Sequence, residues 1–125
     1  MAEFNTSKEL VLVVEDEVLI RMNSADIIRD FGFGVIEAAD ADEAIALLES
    51  VAGIQAVFTD IQMAGSMDGL GLATFIRNRW PPVALLITSG RVRPPIDDMP
   101  AGACFIAKPY SSSQLEQQLH SLLGR

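Results

Sequence analysis

The sequence predicts an α/β domain in which a parallel five-stranded sheet carries helices on both faces. Five short apolar runs alternate along the 125 residues with segments whose apolar positions recur at helical spacing. The polar residues that end these runs fall at the carboxyl end of a strand each time, the edge where open α/β sheets bind ligands. Strand and helix alternating at this spacing require right-handed crossovers, hence a doubly wound sheet.

Each element has its own signal. Leu10 to Val14 is an unbroken apolar run, the pattern of a strand covered on both faces. From Glu17 to Phe31 the residues Val18, Met22, Ala25 and Ile28 recur at helical spacing, and Gly32 follows where a helix would stop. Gly34 to Ala38 reads as the second strand. Asp40 with Glu43 three residues later has the form of a capping box opening a helix over Ala41 to Ser50. Ile54 to Thr59 is the third strand and ends at Asp60. A Gly- and Met-rich loop then leads to a helix from about Leu70 to Arg79, stopped by Trp80, Pro81 and Pro82. Val83 to Thr88 is the fourth strand. The following stretch, Ser89 to Gly102, contains Pro94, Pro95 and Pro100, so a fourth helix there is short or distorted. Ala103 to Ala107 is the fifth strand, and Ser111 to Leu123 the last helix, with Leu115, Leu119 and Leu122 on one face. Met1 to Ser7 reads as a flexible tail ahead of one domain, residues 8–125, with no internal repeat.

Composition narrows the function classes. Half the residues are hydrophobic, enough for a core without disulfide or metal staples. The longest apolar runs fall far short of the roughly 18 residues that cross a bilayer. No signal-peptide pattern opens the chain, so the expected location is the cytoplasm, away from membranes. Cys104, between Ala103 and Phe105, reads as a small buried hydrophobe rather than a redox centre. Seventeen acidic against nine basic residues give a net charge of −8, which repels phosphate backbones and argues against nucleic acid as a partner. Twelve of the acids precede residue 50, whereas Arg77, Arg79, Arg91, Arg93, Lys108 and Arg125 follow later. This two-toned surface suits a protein partner.

The chemistry collects at the strand ends. Glu15 and Asp16 follow the first strand, Asp60 the third and Lys108 the fifth, while Thr88 closes the fourth. Three carboxylates together repel one another unless positive charge is supplied. A divalent cation and the Lys108 ammonium balance them formally, and hard oxygen donors favour Mg²⁺. Asp60 could then carry a phosphoryl group as an acyl phosphate, with Lys108 and the Thr88 hydroxyl contacting the phosphoryl oxygens. Taken singly, each residue has a plain structural reading: an acidic first helical turn, a loop cap, a β-branched strand residue, a solvated turn. Their joint placement is what points to a site. His120 has no Cys or His partner nearby in sequence and reads as a surface histidine, and Met63 and Met67 as loop packing.

The segments Val11-Leu-Val-Val-Glu-Asp-Glu17, Val57-Phe-Thr-Asp-Ile-Gln-Met63 with Met67-Asp-Gly-Leu70, Leu85-Leu-Ile-Thr-Ser-Gly90 and Phe105-Ile-Ala-Lys-Pro-Tyr110 together resemble the receiver domain of bacterial response regulators, of the stand-alone, single-domain type. The resemblance covers nearly the whole chain. It implies a flavodoxin-like sheet in the order 2-1-3-4-5. By position, Asp60 is implied to be the phosphoacceptor, Asp16 a direct Mg²⁺ ligand, and Glu15 a ligand mainly through water. The backbone carbonyl of Gln62 completes the set. Lys108 is implied to contact the phosphoryl group, Thr88 and Phe105 to form a switch pair, and Lys108-Pro109 to be a cis peptide. The implied partners are a histidine kinase or histidine phosphotransfer protein and a downstream protein target, with the chain a monomer or weak dimer. The activity implied is acceptance and loss of its own phosphoryl group, not turnover of a separate substrate.

Two departures stand out. Ala64 occupies the position usually held by proline after the Met, in a loop, Ala64 to Asp68, one residue longer than common, and Pro94-Pro95 sit where the fourth helix normally runs. Two other function classes compete. A haloacid-dehalogenase-like phosphohydrolase also uses an Asp nucleophile and Mg²⁺, but requires a second Asp two residues on, where this chain has Gln62. A receiver-like interaction domain that works without phosphorylation would not need the full set of site residues. Gln62 and Gly90 flank the expected line of water attack, and Gly90 offers no side chain to block it. An acyl phosphate of modest lifetime is therefore expected.

Overall fold

In the computed structural model, which describes residues 9–91 and 93–124, the strands are β1 (Leu10–Val14), β2 (Gly34–Ala38), β3 (Ile54–Asp60), β4 (Ala84–Ser89) and β5 (Cys104–Ala107). All four pairings are parallel, and the order across the sheet is β2-β1-β3-β4-β5. The helices are α1 (Val18–Asp30), α2 (Ala41–Ser50), α3 (Gly69–Arg79) and α4 (Ser112–Leu122). The expected tail, Met1 to Ser7, lies outside the described residues.

Strand alternation divides the core into two layers. Val11, Val13, Ala56, Phe58 and Leu86 pack on one face of the sheet with Ile28 of α1 and Leu115 and Leu119 of α4. Leu12, Val14, Val57, Leu85 and Ile87 pack on the other with Ala44 and Leu48 of α2 and Leu72 and Ile76 of α3. Both faces of β1 are thereby covered, which is why its sequence shows no polar alternation. Burying one such aliphatic side chain contributes about 1.5–3 kcal/mol.

The structure corrects several local expectations. Of the apolar positions predicted to bury α1, Ala25 and Ile28 do so, but Val18 and Met22 are half exposed, with Leu19 and Ile20 also outside. The first turn of α1 begins after β1 has ended, so no strand lies beneath it. Asp40 caps α2 by accepting from the Glu43 amide, yet Glu43 returns to the amide of Ala39 rather than that of Asp40. The reciprocal box forms instead at α4, between Ser111 and Gln114. Cys104 is half-buried rather than buried, because it sits on the edge strand.

Among the described residues between β4 and β5 the prolines leave one 3₁₀ turn, Ile96–Asp98, where a fourth helix would run. Arg77 on α3 substitutes for part of that support. Its guanidinium donates to the carbonyls of Pro81, Val83 and Ala101, tying the approach to β4 and the approach to β5 to one side chain.

Candidate functional site

The register places the polar residues at one sheet edge. Asp60, the last residue of β3, is level with Thr88 on β4, and Thr88 is level with Ile106 on β5. Glu15 follows β1 and Lys108 follows β5. Helices starting after β1 and β3 begin above this edge, so the chain itself builds an open cleft lined by Glu15, Asp16, Asp60, Gln62, Gly90, Arg91 and Lys108. Val18, Leu19 and Ile20 form an apolar rim along one side.

Glu15 and Asp60 are only 4% and 7% exposed, which is costly for carboxylates unless they are paired. One cation serves both: the Lys108 ammonium lies 3.4 Å from Glu15 Oε1 and 3.3 Å from Asp60 Oδ2. Glu15 also accepts from the Glu17 amide through Oε2, and its own carbonyl accepts from Arg21, which is held in turn by Glu37. Burial is the largest influence on Glu15 and raises its pKa, with the Asp60 charge adding to it and the Glu17 amide and Lys108 opposing. Burial would lower the pKa of Lys108, but the charges of Asp60 and Glu15 outweigh it and the ammonium is held above its ordinary range. Asp60 Oδ1 has no hydrogen-bond partner despite being buried. A buried carboxylate oxygen left unmatched is rare in folded proteins.

The remaining expected residues are placed as follows. The Asp16 carboxylate accepts from the amide of Ala64, linking β1 to the loop after β3. Among the described residues no three Asp, Glu, His or Cys side chains converge closely enough to hold a metal together, so Glu15, Asp16 and Asp60 share a cleft without forming a closed cage. The donors still fit a hard divalent cation. They are oxygen ligands on an open cleft, and one of them, Asp60 Oδ1, is unmatched. The Thr88 hydroxyl donates to the Ile106 carbonyl at 2.7 Å. The Phe105 ring is buried beneath the Arg93 guanidinium, 5.2 Å from its centroid. Lys108-Pro109 is cis. Met63 and Met67 pack against the α2–α3 side of the core, and half-exposed His120 lies against Phe33 and pairs with Glu116.

Sequence reasoning did not single out three contacts that shape the cleft. Ser89 donates to the side-chain carbonyl of Gln62 at 2.8 Å. Ser24 on α1 meets the Tyr110 hydroxyl at 3.1 Å. Gly69 opens α3 against the backbone of Asp60, so close that a Cβ there would stand 2.0 Å from the Asp60 carbonyl oxygen. Only the last had a readable signal, a glycine next to the Asp68 helix cap.

The sequence pattern of the response regulator receiver domain matches residues 11–120. An NtrX-like response regulator of Rickettsia bellii is 36% identical over 109 residues, covering 84% of this chain and 23% of that protein. The sensor kinase CckA of Brucella abortus is 32% identical over 119 residues, 92% of this chain and 12% of that protein. The chain thus spans less than a quarter of the length of these two relatives. The crystal structure of the NtrX receiver domain from Brucella abortus superposes with a TM-score of 0.81 at 34% identity, over 91% of this chain and 98% of that one. Sheet order, sequence pattern and superposition agree, and the chain belongs to the response regulator receiver domain family of two-component signalling.

Proposed function

We propose that this receiver accepts a phosphoryl group on Asp60 from a histidine kinase or histidine phosphotransfer protein, in a Mg²⁺-dependent reaction, and thereby changes its protein-binding surface. The observation that carries the reading is the Asp60 carboxylate itself: Oδ2 is held by Lys108, while Oδ1 is buried and unmatched, on a residue that lines the open cleft. In the reaction a carboxylate oxygen of Asp60 forms a bond to phosphorus as the bond from phosphorus to the donor's nitrogen breaks, the electron pair leaving with the donor imidazole.

Lys108 is placed to follow the charge from carboxylate to phosphoryl oxygen without leaving its pocket. Asp16, Asp60 and the Gln62 carbonyl would hold Mg²⁺ directly and Glu15 through water, and the bound ion supplies charge neutralisation for the transferring group. The Thr88 hydroxyl, now on the Ile106 carbonyl, would exchange that bond for a phosphoryl oxygen, and the neighbouring Phe105 ring would respond. The exposed Val18, Leu19 and Ile20 beside the cleft supply the apolar footing that a protein donor needs. Transfer to its own side chain makes this a signalling module rather than an enzyme, and a cytoplasmic place follows from such donors. Among the described residues no helix is long and apolar enough to cross a membrane.

Intact-mass measurement after incubation with acetyl phosphate and Mg²⁺ tests the reading. One phosphoryl adduct is expected on the wild type, and none on Asp60→Asn or in EDTA. An unlabelled wild type would favour a domain that works by binding alone.

A further inference from the structure

Lys108 is anchored at its backbone from only one side by the sheet: its amide donates to the Ser89 carbonyl at the end of β4. The other side of the turn is held by a side chain two residues on. Tyr110 reaches back to α1, where its hydroxyl meets the Ser24 hydroxyl at 3.1 Å, either group serving as donor. Its ring also stands edge-on to Phe58, with centroids 5.8 Å apart and an angle of 68°. Phe58 lies two residues before Asp60 on β3. Ser24 is 4% exposed and lies at a position of α1 that faces the core. A buried serine hydroxyl in a helix is otherwise a cost, and here Tyr110 supplies its partner. Burial raises the Tyr110 pKa, so the phenol keeps its proton at neutral pH and remains available to the contact.

We infer that Ser24 and Tyr110 are a positioning pair for Lys108. They tether the Lys108-Pro109-Tyr110 turn to α1, so that the ammonium stays between Glu15 and Asp60. Neither residue touches the transferring group; both act through the lysine. The four side chains Glu15, Ser24, Lys108 and Tyr110 line one small space behind the cleft, with Asp60 and Thr88, which is why a shift of the tether reaches the ammonium directly. The inference rests on the phosphoacceptor reading for its rate effect, but not for its geometry.

Tyr110→Phe and Ser24→Ala remove one hydroxyl each and keep the apolar packing. Each is expected to slow acetyl-phosphate labelling about threefold to tenfold, the scale of a small displacement of a charged group at the reacting centre. In a Lys108→Ala background Tyr110→Phe should cost nothing further, because the residue through which it acts is gone. An equal loss in both backgrounds, or no loss in either, overturns the pairing. A separate readout needs no phosphorylation: NMR relaxation of the Lys108 ε-methylene should show a more mobile side chain in Ser24→Ala. Should the wild type take no label, the phosphoacceptor reading fails while this measurement still decides the tether, and an unchanged Lys108 order parameter overturns it.

Discussion

Lys108 Nζ stands 3.3 Å from Asp60 Oδ2, while the other oxygen of the same carboxylate is buried and meets nothing. One oxygen of Asp60 is therefore neutralised and the other left unmatched, an arrangement that suits the proposed nucleophile. Lys108→Ala should still fold but label roughly 100-fold more slowly, the scale of losing one charge-stabilising donor. Intact-mass time courses with acetyl phosphate measure it. A Lys108→Ala protein that labels at the wild-type rate would remove the ammonium from the chemistry.

The same lysine gives stability an alkaline limb. Burial pulls its pKa down, but Asp60 and Glu15 more than compensate, and the folded value lies above the ordinary 10.5. A base with a raised folded pKa holds its proton more tightly in the native state. Its contribution is full below the unfolded pKa and is lost as pH rises through the folded value. Urea midpoints of the wild type relative to Lys108→Met should be steady near neutral pH and fall above about 10.5. A constant difference across that range would show that the pair contributes no such dependence.

Glu15 acts in the opposite sense. Its burial, with the Asp60 charge beside it, raises its pKa from 4.5 against the pull of the Glu17 amide and Lys108. In the window between the unfolded value and the higher folded one, the native chain keeps a proton that the unfolded chain has released. Stability falls as pH rises through that window. Glu15→Gln should thus be more stable than wild type at pH 7 without added metal, and the gap should close at pH 4. Mg²⁺ should raise the wild-type midpoint more than that of the variant, since ligand binding to the native state alone stabilises it. Equal Mg²⁺ responses would take Glu15 out of the metal set.

Gly69 fixes the backbone beneath the site. A Cβ there would meet the Asp60 carbonyl oxygen at 2.0 Å, its carbon at 2.7 Å and the Ile61 Cα at 2.9 Å, all backbone atoms that cannot swing aside. Gly69→Ala should cost about 2–3 kcal/mol by overpacking, despite the better helix propensity of alanine. Urea unfolding measures the loss, and the surviving folded fraction should label more slowly because the end of β3 has moved. A stability change under about 0.5 kcal/mol, the ordinary surface range, would mean the close approach relaxes freely.

Much of this arrangement can be read from residue order, for definite reasons. An unbroken run such as Leu10 to Val14 can be satisfied only between two covering layers, so the parallel sheet follows from it. Asp60 and Lys108 are readable only together, because charges that end several apolar strands collect at one sheet edge, whereas each alone has a plain structural reading. Contacts between distant segments leave no such trace. Nothing in the sequence brings Ser24 to Tyr110, 86 positions away, or turns Asp16 to the amide of Ala64. The exposure of Val18 and Met22 was hidden for a related reason: helical periodicity reports which residues share a face, not whether anything lies beneath it. The three prolines after β4 forbid a regular helix, yet that Arg77 would organise the resulting segment depends on three carbonyls converging in space.

If Asp60 is phosphorylated as proposed, the lifetime of its acyl phosphate should be set by what stands at the cleft mouth. Gln62 lines the cleft and is held by Ser89, whose hydroxyl donates to its side-chain carbonyl. Gly90, directly after β4, lines the same cleft and has no positive φ. A Cβ on Gly90 would lie 3.8 Å from Lys108 Cβ and 3.9 Å from its Cδ, ordinary contact distances. A long side chain can therefore be added without strain and would lie along Lys108 across the water's approach. Water must attack phosphorus in line, opposite the departing Asp60 oxygen, so crowding that side slows hydrolysis without touching the ligands. Gly90→Met should lengthen the lifetime roughly threefold to tenfold, equivalent to about 0.7–1.4 kcal/mol in the barrier, with Gly90→Ala between the two. Loss of the 80 Da adduct (one HPO₃ group) after removal of the phosphodonor gives the rate. Identical decay in all three proteins would mean that water reaches the phosphoryl group from another side, and Gln62 would become the residue to replace.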